Sequence, residues 1–297
     1  MGKELASNYS VARQTFEEAD EALGYKLSEL CFEGPEEKLK LTEITQPAIL
    51  TASVAAWRVL EEKGLKPDYV AGHSLGEYSA HVAAGTLGFA DAVRTVRNRG
   101  KYMQEAVPVG VGAMAAILGM PLLRVTEIAQ EAAQGEVCQA ANINSPEQIV
   151  ISGSAGAVAR AVQLATERGA KKAVSLPVSA PFHCALMQPA QDRLSADLRE
   201  LSFHNPSCLV ICNVDAVSVT SAEPARDALI RQVTGAVRWE ESVRSLIEMG
   251  ANFFIEVGPG KVLWGLMRQI DRSKTCSNVS DEASLQKTLM QISATVS

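Results

Sequence analysis

Asp68-Tyr69-Val70-Ala71-Gly72-His73-Ser74-Leu75-Gly76-Glu77-Tyr78-Ser79-Ala80 carries three local signals in one short segment. Tyr69 to Ala71 is a brief apolar run and reads as a buried strand. An alanine-rich helix follows from about Glu77, and Gly85 stops it. Between them lies Gly72-x-Ser74-x-Gly76, and Gly-x-Ser-x-Gly between a strand and a helix is the pattern of a nucleophile elbow. The two glycines let the backbone pass close to its neighbours, and the sharp turn lifts the Ser74 hydroxyl clear of a sheet. The N–H of Leu75, at the positive end of the new helix, is then placed to meet a developing oxyanion.

Around this elbow the chain alternates strands and helices. Residues 4–31 read as amphipathic helix broken at Gly24, and Pro47 reads as the first residue of a helix running to Lys63. Phe89 to about Ala106 forms a helix with Phe89, Ala92, Val93, Val96, Gly100 and Met103 on one stripe. From Gly112 the order becomes βαββαβ: strands at 113–118, 137–142, 148–152 and 172–176, with helices at 122–133 and 154–168. That order is the split arrangement of a ferredoxin-like lobe. Strand–helix alternation resumes afterwards, with strands at 209–214 and 252–257, and the tail beyond Asp271 is polar and helix-prone at best. The expected fold is α/β: a large α/β-hydrolase-like domain with a parallel sheet (1–110 and 180–297), carrying an inserted ferredoxin-like domain (111–179). The cleft between two such lobes is a usual place for a ligand.

The 297 residues are 47% hydrophobic and 21% charged with a net charge of −6, so no general nucleic-acid footprint is visible. The six cysteines form no CxxC pair and no His/Cys ligand spacing, which predicts reduced thiols and no metal site. There is no signal-peptide core at Met1-Gly2-Lys3-Glu4 and no apolar run of membrane-spanning length. These features predict a soluble cytoplasmic protein. Gly258-Pro259-Gly260-Lys261 lacks the spacing and the Ser/Thr of a phosphate loop, and it reads as packing against the site.

Two further residues bear on chemistry. Arg99 falls on the apolar stripe of its helix and must find an anion there, since an unpaired buried charge is costly. Two fates are open to it: a structural ion pair with an Asp or Glu, or a bidentate fork aimed at a substrate carboxylate. Of the histidines, His81 falls inside the helix after the elbow, His204 in a Phe-His-Asn-Pro turn, and His73 in the constrained elbow itself. His183, in a loop between the two lobes, is the best general base for Ser74; a helix-capping or core histidine is the competing reading.

The segment His73-Ser74-Leu75-Gly76-Glu77-Tyr78-Ser79-Ala80 resembles the active-site signature of malonyl-CoA:acyl carrier protein transacylases and of the related acyltransferase domains of polyketide synthases. The likeness extends through Thr45-Gln46-Pro47-Ala48, Arg99-Gly100-Lys101-Tyr102-Met103, Asn142-Ile143-Asn144-Ser145-Pro146, Pro181-Phe182-His183-Cys184 and Glu256-Val257-Gly258-Pro259-Gly260. The resemblance implies a two-step transfer through a malonyl-serine on Ser74, with His183 as base and Leu75 N–H in the oxyanion hole. It implies that Arg99 grips the malonyl carboxylate and that a main-chain carbonyl, at the position of Gln232, orients the histidine. From the residue alone, Gln232 could equally be a solvated helix position. His73, Asn144 and Phe182 match pocket positions, and a phenylalanine before the histidine goes with malonyl preference in the polyketide relatives. The substrate implied is malonyl-CoA, and the partner is an acyl carrier protein bringing its own phosphopantetheine arm. No bound cofactor and no metal are implied, nor any nucleic acid or membrane, and a monomer is expected.

One departure stands out. The resembled enzymes open with an apolar strand and a Gly-Gln-Gly-x-Gln loop that supplies a second oxyanion donor, whereas Met1-Gly2-Lys3-Glu4-Leu5 matches the helix after that loop. A chain numbered from an internal methionine, or a damaged or repurposed member, is therefore expected. Two rival functions follow: a serine thioesterase or esterase, for which Asp91 and Glu127 are the candidate acids, and an inactive carrier-protein-binding homologue. Arg168, Lys171 and Lys172 are candidates for meeting an acidic carrier protein, or else a solvated face.

Overall fold

A computed structural model describes residues 1–296. The amino-terminal part is helical: α1 (Lys3–Asn8), α2 (Ser10–Leu23), α3 (Leu27–Glu33), α4 (Glu36–Leu39) and α5 (Thr42–Glu62). The helix expected over 4–31 breaks at Gly24, and also at Tyr9, whose extended backbone separates α1 from α2. Ala12, Thr15, Phe16 and Ala19 form the buried i, i+3, i+4, i+7 stripe of α2, which packs on α5. α5 begins ahead of Pro47, contrary to expectation. The N–H groups of Ile44 and Thr45 already bond the carbonyl of Leu41, so a turn is in place before the proline, which forgoes only its own hydrogen bond.

β1 (Tyr69–Ala71), α6 (Gly76–Ala83) and α7 (Phe89–Glu105) follow. The inward stripe of α7 is as its spacing predicts, with Phe89, Ala92, Val93, Val96, Arg99, Gly100 and Met103 all buried. Gly100 is required there, because a Cβ would lie 2.5 Å from the carbonyl oxygen of Thr42 at the start of α5.

Next come β2 (Gly112–Leu118), α8 (Leu122–Ala133), β3 (Cys138–Ser145), β4 (Gln148–Ser154), α9 (Ala155–Glu167) and β5 (Lys172–Ser175). The four strands form one antiparallel sheet in the order β3-β4-β2-β5. Ile117, Ile149 and Ile151 of this sheet share a core with Val125 and Ile128 of α8 and Val158 of α9.

A 3₁₀ turn at Ala185–Met187 leads into α10 (Gln188–Glu200), then β6 (Leu209–Ile211), β7 (Ser218–Val219), α11 (Ala222–Arg231) and α12 (Trp239–Glu248). β8 (Phe253–Val257), α13 (Val262–Ile270), β9 (Thr275–Val279) and α14 (Glu282–Val296) complete the described chain. β9 lies in the tail beyond Asp271, which was expected to be polar and helix-prone at best; α14 meets that expectation and β9 does not. Its sequence, Thr-Cys-Ser-Asn-Val, hides the strand, because only Ser277 and Val279 are buried.

The single parallel sheet expected of the large part is two small sheets instead. β1 pairs in parallel with β6, which pairs antiparallel with β7, and β8 pairs in parallel with β9. β1 and β8 are therefore both edge strands, and both are half-buried, where burial was expected for β1. They line one cavity of about 950 Å³, together with Ile49, Ser53 and Trp57 of α5. The four-stranded sheet is tied to the rest through Val237, which exchanges backbone hydrogen bonds with Ala141 and Ile143 of β3. Among the described residues no helix is long and apolar enough to cross a membrane.

Candidate active site

Ser74 sits at the carboxyl end of β1, in the turn that enters α6, with a φ of 51°. A non-glycine residue held in that left-handed region carries about 1–2 kcal/mol of strain, which the surroundings must offset. Asn213, just past the end of the parallel neighbour β6, does so. Its Oδ1 accepts the Ser74 N–H at 2.6 Å and its Nδ2 donates to the Gly72 carbonyl at 2.7 Å. Gly72 is indispensable to the turn, since a Cβ there would lie 2.0 Å from the backbone of Gly76. Gly76 differs from expectation: nothing lies within 4 Å of a Cβ at that position, so close approach does not demand a glycine there. Leu75 is the N-cap residue of α6. The carboxyl ends of parallel strands are where open α/β sheets bind ligands.

His183 reaches this turn from the segment after β5. Its Nε2 lies 2.7 Å from Ser74 Oγ, and its Nδ1 is 2.9 Å from the main-chain oxygen of Gln232 at the end of α11. A carbonyl accepts only, so Nδ1 carries the hydrogen and Nε2 is the free base facing the hydroxyl. Burial, followed by the nearby Arg99 cation, pushes the imidazole pKa down to about 3. The ring is neutral at neutral pH and able to take a proton. An anion that compensates Arg99 weakens the second of these causes.

Of the two fates open to Arg99, the structural ion pair is not the one it takes. It is 2% exposed and makes no ion pair among the described residues. Its Nη1 donates to Gln46 Oε1 at 2.7 Å, and its Nη2 donates to Gln232 Oε1 at 2.9 Å and to Ser74 Oγ at 3.0 Å. Burial lowers its pKa, opposed by Tyr78 and Glu77 nearby. A buried guanidinium whose partners are all neutral, one of them the Ser74 hydroxyl, suits an anionic ligand.

Gln232 is fully buried and is not a solvated helix position. Its amide donates to the Ser74 carbonyl at 2.9 Å and to Glu77 Oε2 at 2.8 Å. His73 and Asn144 lie on the other side of the turn, where His73 Nε2 is 2.8 Å from Asn144 Oδ1 and both line the cavity beside β1. Burial lowers the His73 pKa. Phe182 packs between the main helical core and the Met114–Ala141–Val150 cluster of the four-stranded sheet, bridging the two parts beside His183.

The structure separates other candidates from the site. Asp91 and Glu127 pair with Arg94 and Arg124 on exposed helix faces, so neither supports the histidine. Arg168 and Lys171 are paired with Glu131 and Glu147, which removes most of the free charge proposed for carrier docking. Gly258 packs on α5, where a Cβ would lie 2.2 Å from Ser53 Oγ. Among the described residues no group of three His, Cys, Asp or Glu side chains could hold a metal ion. Sequence reasoning passed over Gln46, Glu77 and Asn213. A carboxylate inside the alanine-rich α6 was the one signal available, since a charge among apolar neighbours asks for a partner.

Residues 1–289 match the acyl transferase domain family. The chain belongs to that family. It is 49% identical to the malonyl CoA-acyl carrier protein transacylase of Salmonella typhimurium over 289 residues, 97% of this chain and 94% of that one. Among solved acyl transferases, an acyl carrier protein S-malonyltransferase from Vibrio cholerae superposes with a TM-score of 0.95 at 50% identity, covering 97% of this chain and 94% of its own. A malonyl-transacylase in complex with a type II polyketide synthase acyl carrier protein superposes equally well, with a TM-score of 0.95 at 47% identity over 98% of this chain and 94% of that one. The mixed α/β architecture is thus that of the acyl transferases.

Proposed function

We propose that this acyl transferase moves the malonyl group of malonyl-CoA to the phosphopantetheine thiol of an acyl carrier protein through a malonyl-serine on Ser74. His183 Nε2 takes the hydroxyl proton as Ser74 Oγ attacks the thioester carbonyl, and the Gln232 carbonyl holds the imidazolium through Nδ1. The tetrahedral oxyanion is met by the Leu75 N–H at the start of α6. Collapse expels the CoA thiolate, which takes the proton from His183, and the carrier thiol then repeats the sequence in reverse. The prosthetic group arrives on the partner, so the enzyme needs no bound cofactor of its own.

The observation that carries this reading is the 3.0 Å contact from Arg99 Nη2 to Ser74 Oγ, made by a buried guanidinium without a carboxylate partner. A simple ester gives that charge nothing to do, whereas the free carboxylate of a malonyl group on Ser74 would meet it directly. Mass spectrometry after brief exposure to malonyl-CoA tests the reading: one malonyl adduct, on Ser74, is expected. No adduct, or an adduct elsewhere, would defeat it.

A second reading, an inactive carrier-protein-binding homologue, draws on the cavity that borders Ser74 and Leu75.

Residues 111–179 are read as a ferredoxin-like insertion into an α/β-hydrolase-like domain formed by 1–110 and 180–297. The order β3-β4-β2-β5 supports the first part, and the parallel β1–β6 pair ending in the serine turn supports the second. His73, Asn144 and Phe182 are read as pocket residues, and the enzyme as a cytoplasmic monomer.

A further inference from the structure

Glu77 is among the buried ionisable side chains that the mechanism above leaves unused. Glu77 has no exposed surface, yet a carboxylate is costly to remove from water. Its Oε2 accepts two hydrogen bonds, from the Asn213 N–H at 2.9 Å and from Gln232 Nε2 at 2.8 Å. Its Oε1 has no hydrogen-bond partner and lies 3.9 Å from His81 Nε2, on a ring whose two nitrogens are also without partners. The carboxylate is not held by a structural ion pair of good geometry. Its firm bonds run instead to the two residues that touch the reacting groups.

We infer that Glu77 is a positioning residue that sets Ser74, His183 and Arg99 in one arrangement, acting through Gln232 and Asn213; the inference rests on the acyl-transfer reading of this site. An amide has a donor end and an acceptor end, and its neighbours decide which way it lies. Glu77 and the Ser74 carbonyl accept only, so they draw the Gln232 NH₂ toward the turn. Its Oε1 is thereby left to face Arg99 Nη2 at 2.9 Å. In the reversed orientation the NH₂ group would oppose a guanidinium, donor against donor. The main-chain oxygen of the same glutamine holds His183. Through Asn213 the carboxylate also anchors the side chain that spans Gly72 and Ser74. Malonyl recognition and serine reactivity are thus tied to a single carboxylate that touches no substrate.

The test measures kcat and KM with malonyl-CoA and acetyl-CoA, adduct formation on Ser74, and thermal unfolding. Glu77→Ala is expected to lower kcat/KM for malonyl-CoA about ten- to a hundredfold in all, through a higher KM and a lower kcat together, as loss of a charge-assisted hydrogen bond implies. The KM for acetyl-CoA should stay put, because acetyl makes no use of Arg99. Asn213→Ala should lower kcat for both substrates with KM unchanged, since Asn213 touches the turn and not the guanidinium. Glu77→Gln should stay within about threefold of wild type, its oxygen still accepting from both donors. If Glu77→Ala does not fold, Glu77→Asp keeps the charge but withdraws the oxygen by one methylene, and it should show the same split. A folded Glu77→Ala or Glu77→Asp enzyme that melts lower but keeps the wild-type KM for malonyl-CoA would assign Glu77 to stability alone and overturn the inference. Absence of any adduct in the wild-type protein would instead defeat the acyl-transfer reading.

Discussion

Arg99 Nη2 donates to Ser74 Oγ across 3.0 Å, so the buried guanidinium of the site touches the hydroxyl of the serine turn directly. A malonyl group on Ser74 would bring a carboxylate into the reach of that fork. Arg99→Ala is accordingly expected to cut malonyl transfer at least about a hundredfold, from the loss of two charge-assisted hydrogen bonds, and to leave acetyl transfer largely intact. Arg99→Lys should rescue little, since an ammonium cannot serve Gln46, Gln232 and a carboxylate in one plane. Equal losses with both thioesters would remove Arg99 from acyl selection.

The pH profile follows from His183. Its pKa in the free enzyme is pushed down to about 3 by burial and by Arg99, against an ordinary value near 6.5. The base is active when neutral, so kcat/KM should stay flat from pH 8 to about pH 5, with no break near 6.5. The unfolded chain binds a proton at this histidine below about 6.5 while the folded chain does not. The His183 contribution to stability is therefore lost as pH falls from 6.5 toward 3. A kcat/KM profile with an inflection near 6.5 would contradict the assignment.

The two glycines of the serine turn should respond differently. Gly72→Ala forces a Cβ to within 2.0 Å of the Gly76 backbone, and the turn must open. Loss of about 3 kcal/mol or more is expected, together with loss of Ser74 labelling by an active-serine probe. Gly76→Ala meets nothing within 4 Å and lies at the start of α6. It should keep activity and gain up to about 1 kcal/mol from lower chain entropy in the unfolded state. Thermal melts of the two variants decide the matter.

Much of the site was legible because its signals are local. The glycine spacing around Ser74 marks a turn, and the 3.6-residue period of α7 turns Arg99 inward whatever packs against it. Other features gave no local signal. Glu77 meets Asn213 and Gln232 across 136 and 155 positions, and no short-range pattern encodes such a meeting. β9 escaped notice for a related reason, since a strand that buries only alternate small residues shows no apolar run.

The amino-acid sequence alone determined which side chains could react and which face of each helix they would occupy, because backbone periodicity and turn chemistry act within a few residues. Tertiary structure alone decided what those side chains meet. It placed Ser74 against His183 across 109 positions, and it gave Arg99 two amides and a hydroxyl in place of a carboxylate. It also left β1 and β8 as separate edges. The physical reason is that a hydrogen bond requires its partners within about 3 Å, a condition met through the packing of the whole core and not by any stretch of chain on its own.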